Sequence, residues 1–134
     1  MIVVDVNVVA YFLIDGEKTA SARNLLRRDP DWRLPPLWRH EFLHVLATFA
    51  REGGATTAEA QRLWQQGIEL FGPGEESVDM EAALALAIAN RISAYDAQYI
   101  ALARQLRTVC VSEDRRLLGT FPTLSRAMQA FEVA

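Results

Sequence analysis

Short apolar runs alternate with segments of helical periodicity along the chain. Ile2–Val4 and residues 108–111 are β-branched runs of the length expected for strands buried on both faces. Residues 32–34 suggest a shorter strand, and residues 76–78 suggest a weak one. Because strands alternating with helices build layered parallel sheets, we expect an α/β fold with three layers, α/β/α, around a central, mostly parallel sheet.

Helical spacing of apolar residues fills the intervals between these strands. The clearest helix spans 37–52, where Phe42, Val45, Leu46 and Phe49 follow the i, i+3, i+4, i+7 pattern. The remaining helices are expected at 7–13, 17–28, 57–71, 79–90, 93–106 and 115–118. The tail, residues 121–134, is compatible with a helix or with a short edge strand.

Composition limits the class of protein. The 134 residues are 51% hydrophobic and 23% charged, which is typical of one globular domain covering residues 1–134. No apolar stretch approaches the roughly 18 residues of a membrane span, and no secretory leader is recognisable at the start. The single cysteine, Cys110, lies within a predicted buried strand and cannot form an intrachain disulfide, so we expect a reducing cytoplasm.

The net charge of −3 argues against one class of partner interaction. A protein that held nucleic acid mainly by bulk charge would normally be basic, whereas this chain has 17 acidic and 14 basic residues. An enzyme whose acidic residues bind metal is still compatible with this balance, because bound divalent cations reverse the local charge.

Four acidic residues occupy positions that a parallel sheet would bring together. Asp5 ends the first buried strand, and Asp114 follows the second. Asp96 lies in the first turn of its predicted helix, and Glu41 borders the apolar stripe of the long helix. Since ligands collect at the carboxyl ends of parallel strands, we expect these carboxylates to share one rim of the sheet.

Clustered carboxylates predict a definite chemistry. They repel each other and lose hydration, so protons or cations must offset their charge. Oxygen ligands without sulfur or paired histidines select hard ions such as Mg²⁺ or Mn²⁺. Such ions bind phosphodiester oxygens and activate water for in-line displacement, which needs no serine or cysteine nucleophile.

Each acid also has a purely structural interpretation. Asp5 with Asn7 could form an Asx-turn or cap the first helix. Ser93 with Asp96 forms a capping box, and Asp114 suits the start of its helix. Glu41 could be an ordinary surface residue. Only the joint pattern favours a site.

Four segments carry a family resemblance: residues 3–8 (VVDVNV), 36–42 (PLWRHEF), 93–103 (SAYDAQYIALA) and 111–117 (VSEDRRL). In order and spacing they resemble the PIN domain, and more closely the VapC-type toxin ribonucleases of bacterial toxin–antitoxin pairs. The resemblance spans nearly the whole chain, and the third segment is its most specific part.

The resemblance implies a metal-dependent endoribonuclease that uses Mg²⁺ or Mn²⁺. Its acidic metal site would be formed by Asp5, Glu41, Asp96 and Asp114. Asn7 would be the small polar partner of Asp5, Ser112 would orient Asp114, and Glu113 would be a substitute ligand. The family more often has threonine at the position of Ser112, and the hydroxyl is kept. The implied partners are an RNA substrate, a cognate antitoxin and a second copy in a homodimer, all in the cytoplasm.

Two other classes compete with this interpretation. A phosphatase of the haloacid dehalogenase kind also has Asp after its first strand, but it requires Asp-x-Asp, and Asn7 occupies the second position. A non-catalytic PIN-like module or a receiver domain is the other; a receiver needs a lysine near its last strand, and the only lysine is Lys18.

Secondary candidates are weaker. His40 and His44, with Glu41 between them, have the spacing of the H-E-x-x-H zinc pair, but no third ligand is evident, so we expect surface or rim residues. Arg115 or Arg116 could contact phosphate. Bulky residues in 8–14 and 63–71 could form a dimer or antitoxin interface, although core packing explains them equally well.

Overall fold

The computed structural model describes residues 1–132, in which four short strands alternate with seven α-helices. Two 3₁₀ turns, Gly72–Gly74 and Met128–Phe131, complete the regular structure. The strands and helices in chain order are β1 Ile2–Val4, α1 Val6–Leu13, α2 Thr19–Arg28, β2 Trp32–Arg33, α3 Trp38–Arg51, α4 Thr57–Phe71, α5 Met80–Asn90, α6 Ala94–Gln105, β3 Cys110–Val111, α7 Arg115–Thr120 and β4 Ser125–Arg126.

The four strands form one parallel sheet in the order β2-β1-β3-β4. Val4 of β1 is in register with Val111 of β3, and the Asp5 N–H donates to the Val111 carbonyl at 3.0 Å. The chain leaves β1 towards β2 on one side and later returns to β3 on the other. The carboxyl ends of β1 and β3 therefore flank a topological switch point, where open parallel sheets bind ligands. The predicted α/β fold with a central parallel sheet is confirmed.

Small residues bring α6 close to the sheet. Ala97, Ala101 and Ala103 are buried, and the helix packs against β1 and β3 while α5 packs against α6. A helix that leads into a parallel strand runs antiparallel to it, so the start of α6 lies at the carboxyl edge of the sheet. This packing brings the first turn of α6, with Asp96, to the switch point.

Aromatic packing fixes α3 and α4. The Phe42 ring stacks with Trp38 and Trp64, with centroids 5.7 and 5.9 Å apart. Gly67 faces the same ring, and a Cβ added there would come within 2.5 Å of Phe42 Cε2. No side chain caps the start of α3, but Trp38 Nε1 donates to Glu75 Oε1 at 2.6 Å. These contacts hold the helix that carries Glu41.

Some boundaries differ from the sequence predictions. Residues 76–78 form no strand; Leu34 makes only an isolated bridge to Glu75, because the residue that would donate the next ladder bond, Pro36, has no N–H. The strand predicted at 108–111 shortens to Cys110–Val111, since Arg107 adopts a left-handed φ of 58° and ends the preceding turn.

The tail forms both β4, at the sheet edge, and a 3₁₀ turn; its last two positions, 133 and 134, lie outside the described residues. Among residues 1–132, no helix combines the length and apolarity needed to cross a membrane.

Candidate active site

Asp5 is fixed from two sides at the end of β1. Its Oδ1 accepts a hydrogen bond from the Asn7 N–H at 3.1 Å, which makes Asp5 the N-cap of α1. Its Oδ2 accepts from the Ser112 hydroxyl at 2.8 Å. Burial raises the pKa of Asp5, and these two hydrogen bonds act in the opposite direction. The capping role and a site role are therefore compatible for this residue.

Ser112 links the two strand ends. It is fully buried after β3, and its Oγ accepts from the Asp114 N–H at 3.0 Å while donating to Asp5. Asp114 Oδ1 in turn accepts from the Arg116 N–H at 2.8 Å and caps α7. The hydroxyl thus contacts the backbone of Asp114 and the carboxylate of Asp5, and so it fixes both acids relative to the sheet.

Glu41 enters the site from α3 and is held by α6. The Tyr99 hydroxyl, on α6, donates to Glu41 Oε1 at 2.6 Å. Glu41 is half-buried, and burial is the main reason that its pKa is raised, while the Tyr99 hydrogen bond lowers it. Glu41 therefore lies at the border between core and solvent, as its helical position predicts.

Asp96 lies in the first turn of α6, where its N–H donates to the Ser93 hydroxyl at 3.0 Å. Burial is the largest cause of its raised pKa, and the charge of Asp114 adds to the effect. The Ser93 hydroxyl and the positive charge of Arg116 lower this pKa. The guanidinium of Arg116 itself donates to the Arg91 carbonyl at 2.6 Å.

One cleft of about 730 Å³ collects all four acids. Its volume is within the range of small-molecule and cofactor sites. Its walls come from β1, α1, α3, the start of α6 and the turn after β3. The lining residues are Asp5, Val6, Asn7, Leu37, His40, Glu41, His44, Val45, Tyr95, Asp96 and Asp114.

The charges of neighbouring acids raise the pKa values of Asp5 and Glu41. The charges of Asp96 and Asp114 both raise the pKa of Asp5. The charges of Asp5 and Asp96 raise the pKa of Glu41. Because like charges in one cleft disfavour their common ionisation, the charged forms coexist at neutral pH only at a cost in free energy, which a bound cation would offset.

The donor set fits a hard divalent cation in its chemistry, since carboxylate oxygens dominate the cleft. In residues 1–132, however, no three Asp, Glu, His or Cys side chains are gathered closely enough to hold one ion as they stand. Both oxygens of Asp5 and one oxygen of Asp114 accept protein hydrogen bonds. A carboxylate oxygen that accepts one hydrogen bond keeps a second lone pair, so these contacts still allow the acids to bind a cation.

The structure places the two histidines and Asn7 along the cleft and Glu113 outside it. Asn7 and the two histidines are exposed along the cleft, so His40 and His44 are rim residues. Glu113 is not in the cleft lining: its Oε2 accepts from the Met128 N–H at 3.0 Å, and its Oε1 lies 3.8 Å from Lys18 Nζ. These contacts turn it away from the role of substitute ligand.

The hydrogen bond from Tyr99 to Glu41 is the contact that the sequence does not predict, because periodicity cannot identify the partner of a hydroxyl. The available signal was the i+3 spacing of Tyr99 from Asp96, which places both residues on one face of α6.

Comparisons with known proteins bear on the family and the fold of this chain. The PIN domain family model matches residues 2–120. Ribonuclease VapC3 of Pyrobaculum aerophilum is 27% identical over 126 residues, which are 92% of this chain and 96% of the relative. The crystal structure of PAE2754 from the same organism superposes with a TM-score of 0.76 at 20% identity, covering 96% of this chain and 90% of that one.

Proposed function

The chain belongs to the PIN-domain family, and from this premise we propose that it is a metal-dependent endoribonuclease, the toxin of a toxin–antitoxin pair. One observation carries the proposal: four acids from four separate parts of the chain line a single cleft at the sheet's switch point. The similarity over most of both chains to a protein named as a VapC ribonuclease supports the choice of RNA as substrate.

We propose that Asp5, Asp96 and Asp114 bind Mg²⁺ or Mn²⁺, with Glu41 joining directly or through water. The bound ion would polarise the phosphodiester and lower the pKa of a water molecule. Ser112 holds Asp5 at 2.8 Å and fixes the backbone of Asp114, so the acids stay at the rim when the cleft is open to solvent. Asn7 completes the polar wall beside Asp5.

The raised pKa values of Asp5, Glu41 and Asp96 reflect burial and repulsion, and a cation bound beside them would favour their charged, ligating forms. We propose single-stranded RNA as the substrate, because an unpaired segment offers an accessible phosphodiester.

The proposal extends to organisation and partners. Residues 1–134 would form one PIN-like nuclease domain that works in the cytoplasm, where its RNA substrate lies, and whose partner is a cognate antitoxin. The bulky residues of α1 and α4 pack against the core, most of them only partly buried, and Leu70 is 53% exposed. We expect a homodimer through α5, where Met80, Leu84 and Ile88 are 58%, 59% and 72% exposed along one stripe.

The test is cleavage of a fluorogenic single-stranded RNA by the full chain. Wild type should cleave in Mg²⁺ or Mn²⁺, lose activity in EDTA and regain it when the ion is restored. Asp5→Asn should lose at least 100-fold in rate, because it removes one carboxylate charge at an unchanged cap. Equal rates for wild type and Asp5→Asn would refute the mechanism.

A parallel assay with a chromogenic phosphomonoester tests the phosphatase alternative. A phosphatase would hydrolyse this substrate, whereas a nuclease should leave the substrate intact. A chain that binds no divalent ion would instead indicate a non-catalytic module. The proposed antitoxin partner can be tested in the genome. We expect a short reading frame for a DNA-binding protein beside the gene of this chain.

A further inference from the structure

Tyr99 makes an unusual contact for a core aromatic residue. Its side chain is 2% exposed, and its hydroxyl donates to Glu41 Oε1 at 2.6 Å across the gap between α6 and α3. A buried tyrosine hydroxyl requires a partner, and phenylalanine would fill the same space without one. The hydroxyl therefore has a use beyond packing.

The contact makes the two carboxylate oxygens of Glu41 different from each other. Oε1 accepts the Tyr99 hydroxyl, and within residues 1–132 no protein donor engages Oε2. Glu41 lines the acidic cleft, so Oε2 is the oxygen available to a ligand there. A carboxylate held by one oxygen presents the other in a fixed direction, which is how a hydrogen-bonded partner orients a metal ligand.

We propose that Tyr99 is a positioning residue that fixes Glu41 to act through Oε2 alone, as a single-oxygen ligand or through a water molecule. This inference rests on the proposed function. It makes Tyr99 the counterpart of Ser112: one buried hydroxyl holds Asp5 from the sheet, and another holds Glu41 from α6. The two acids that lie deepest in the site would then both be oriented before an ion binds.

The proposal predicts a dependence that simple packing would not give. If Tyr99 acts only through Glu41, its hydroxyl should strengthen ion binding while residue 41 is a carboxylate. It should have no effect on ion binding once Glu41 is replaced by the neutral glutamine. A double-mutant cycle measures this coupling directly.

The experiment is a Mn²⁺ titration of the full chain, followed by electron paramagnetic resonance, with thermal unfolding as the check on folding. Tyr99→Phe should weaken Mn²⁺ affinity 10- to 100-fold, the usual effect of losing such a partner. Glu41→Gln should weaken it at least as much, and the double variant should be no weaker than Glu41→Gln. Tyr11→Phe, the matched control, should bind as wild type does.

A second route leaves Tyr99 intact. Glu41→Asp keeps the charge but shortens the side chain by one methylene, so that it no longer reaches the Tyr99 hydroxyl. It should weaken Mn²⁺ binding to the same degree as Tyr99→Phe, and this result would stand even if Tyr99→Phe did not fold.

Three outcomes would count against the inference, and they are distinguishable. Unchanged Mn²⁺ affinity in a folded Tyr99→Phe, or in Glu41→Asp, overturns the positioning role while the proposed function stands. An equal loss on Tyr99→Phe in the Glu41→Gln background shows a general structural effect and also overturns it. Wild type that binds no Mn²⁺ overturns the proposed function together with the inference.

Discussion

Replacement of Ser112 by alanine removes one buried hydroxyl that serves two partners. Asp5 Oδ2 loses a donor at 2.8 Å, and the Asp114 N–H loses an acceptor at 3.0 Å. A hydrogen bond to a charged group contributes about 1.5–3 kcal/mol and a neutral one about 1 kcal/mol. Because Ser112 is fully buried, water cannot easily replace either contact. We therefore expect Ser112→Ala to lower the free energy of unfolding by about 2–4 kcal/mol at pH 7 without metal.

The cost of this substitution should depend on pH. The Ser112 hydroxyl lowers the pKa of Asp5, so its loss raises that pKa further in the folded state. A carboxyl group with a raised folded-state pKa contributes stability at low pH that disappears as the pH rises through that pKa. The effect of Ser112→Ala should thus be smaller at pH 4, where Asp5 is more protonated, than at pH 7.

Urea denaturation at both pH values measures the effect. Ser125→Ala is the matched control: Ser125 is 3% exposed, and its hydroxyl donates only to backbone carbonyls, at 2.7 Å for Phe121. It should cost about 1 kcal/mol at either pH. Ser112→Thr, which keeps the hydroxyl, should recover most of the stability. If Ser112→Ala costs no more than Ser125→Ala at both pH values, the account of the Asp5 environment is wrong.

Three further substitutions test the structure around the cleft. Asp5→Asn should raise the melting temperature of the metal-free protein at pH 7 and not at pH 3, because it removes a carboxylate with a raised pKa and keeps a good helix cap; a lower melting temperature at pH 7 would contradict this. Gly67→Ala should cost about 1–3 kcal/mol in urea denaturation, because its Cβ would press on the buried Phe42 ring, whereas Gly119→Ala, with nothing within 4 Å, should be neutral or slightly stabilising. Glu75→Ala should cost about 1–3 kcal/mol by orphaning the indole donor at the start of α3, and a change below about 0.5 kcal/mol would argue against that anchor.

The sequence predicts the sheet and the place of the site well. The run Ile2–Val4 is short, β-branched and apolar, and such a run followed by Asp5 clearly predicts a buried strand with a carboxylate at its end. Because ligands collect at the carboxyl ends of parallel strands, the sequence also predicts that Asp5 and Asp114 lie at one site, without any knowledge of side-chain contacts. Local chemistry also suffices for helix starts, as at Asp79 and in the Thr56 capping box.

Partner choice and surface exposure are harder to predict. The apolar residues of α5 surround the helix, so periodicity does not reveal that Leu84 and Ile88 are exposed while Leu86 is buried. The Tyr99–Glu41 hydrogen bond joins residues 58 positions apart, and only the packing of α6 against the rest of the fold creates it. Long-range side-chain pairs of this kind depend on tertiary structure, which no local pattern specifies.

The central claim is that the clustered acids act together on RNA through a divalent ion. The most direct test is the initial rate at which Asp96→Asn cleaves single-stranded RNA in Mg²⁺ at pH 7, relative to wild type at equal concentration. The account predicts a rate at least 100-fold lower in a variant that melts no earlier than wild type. An undiminished rate would contradict it.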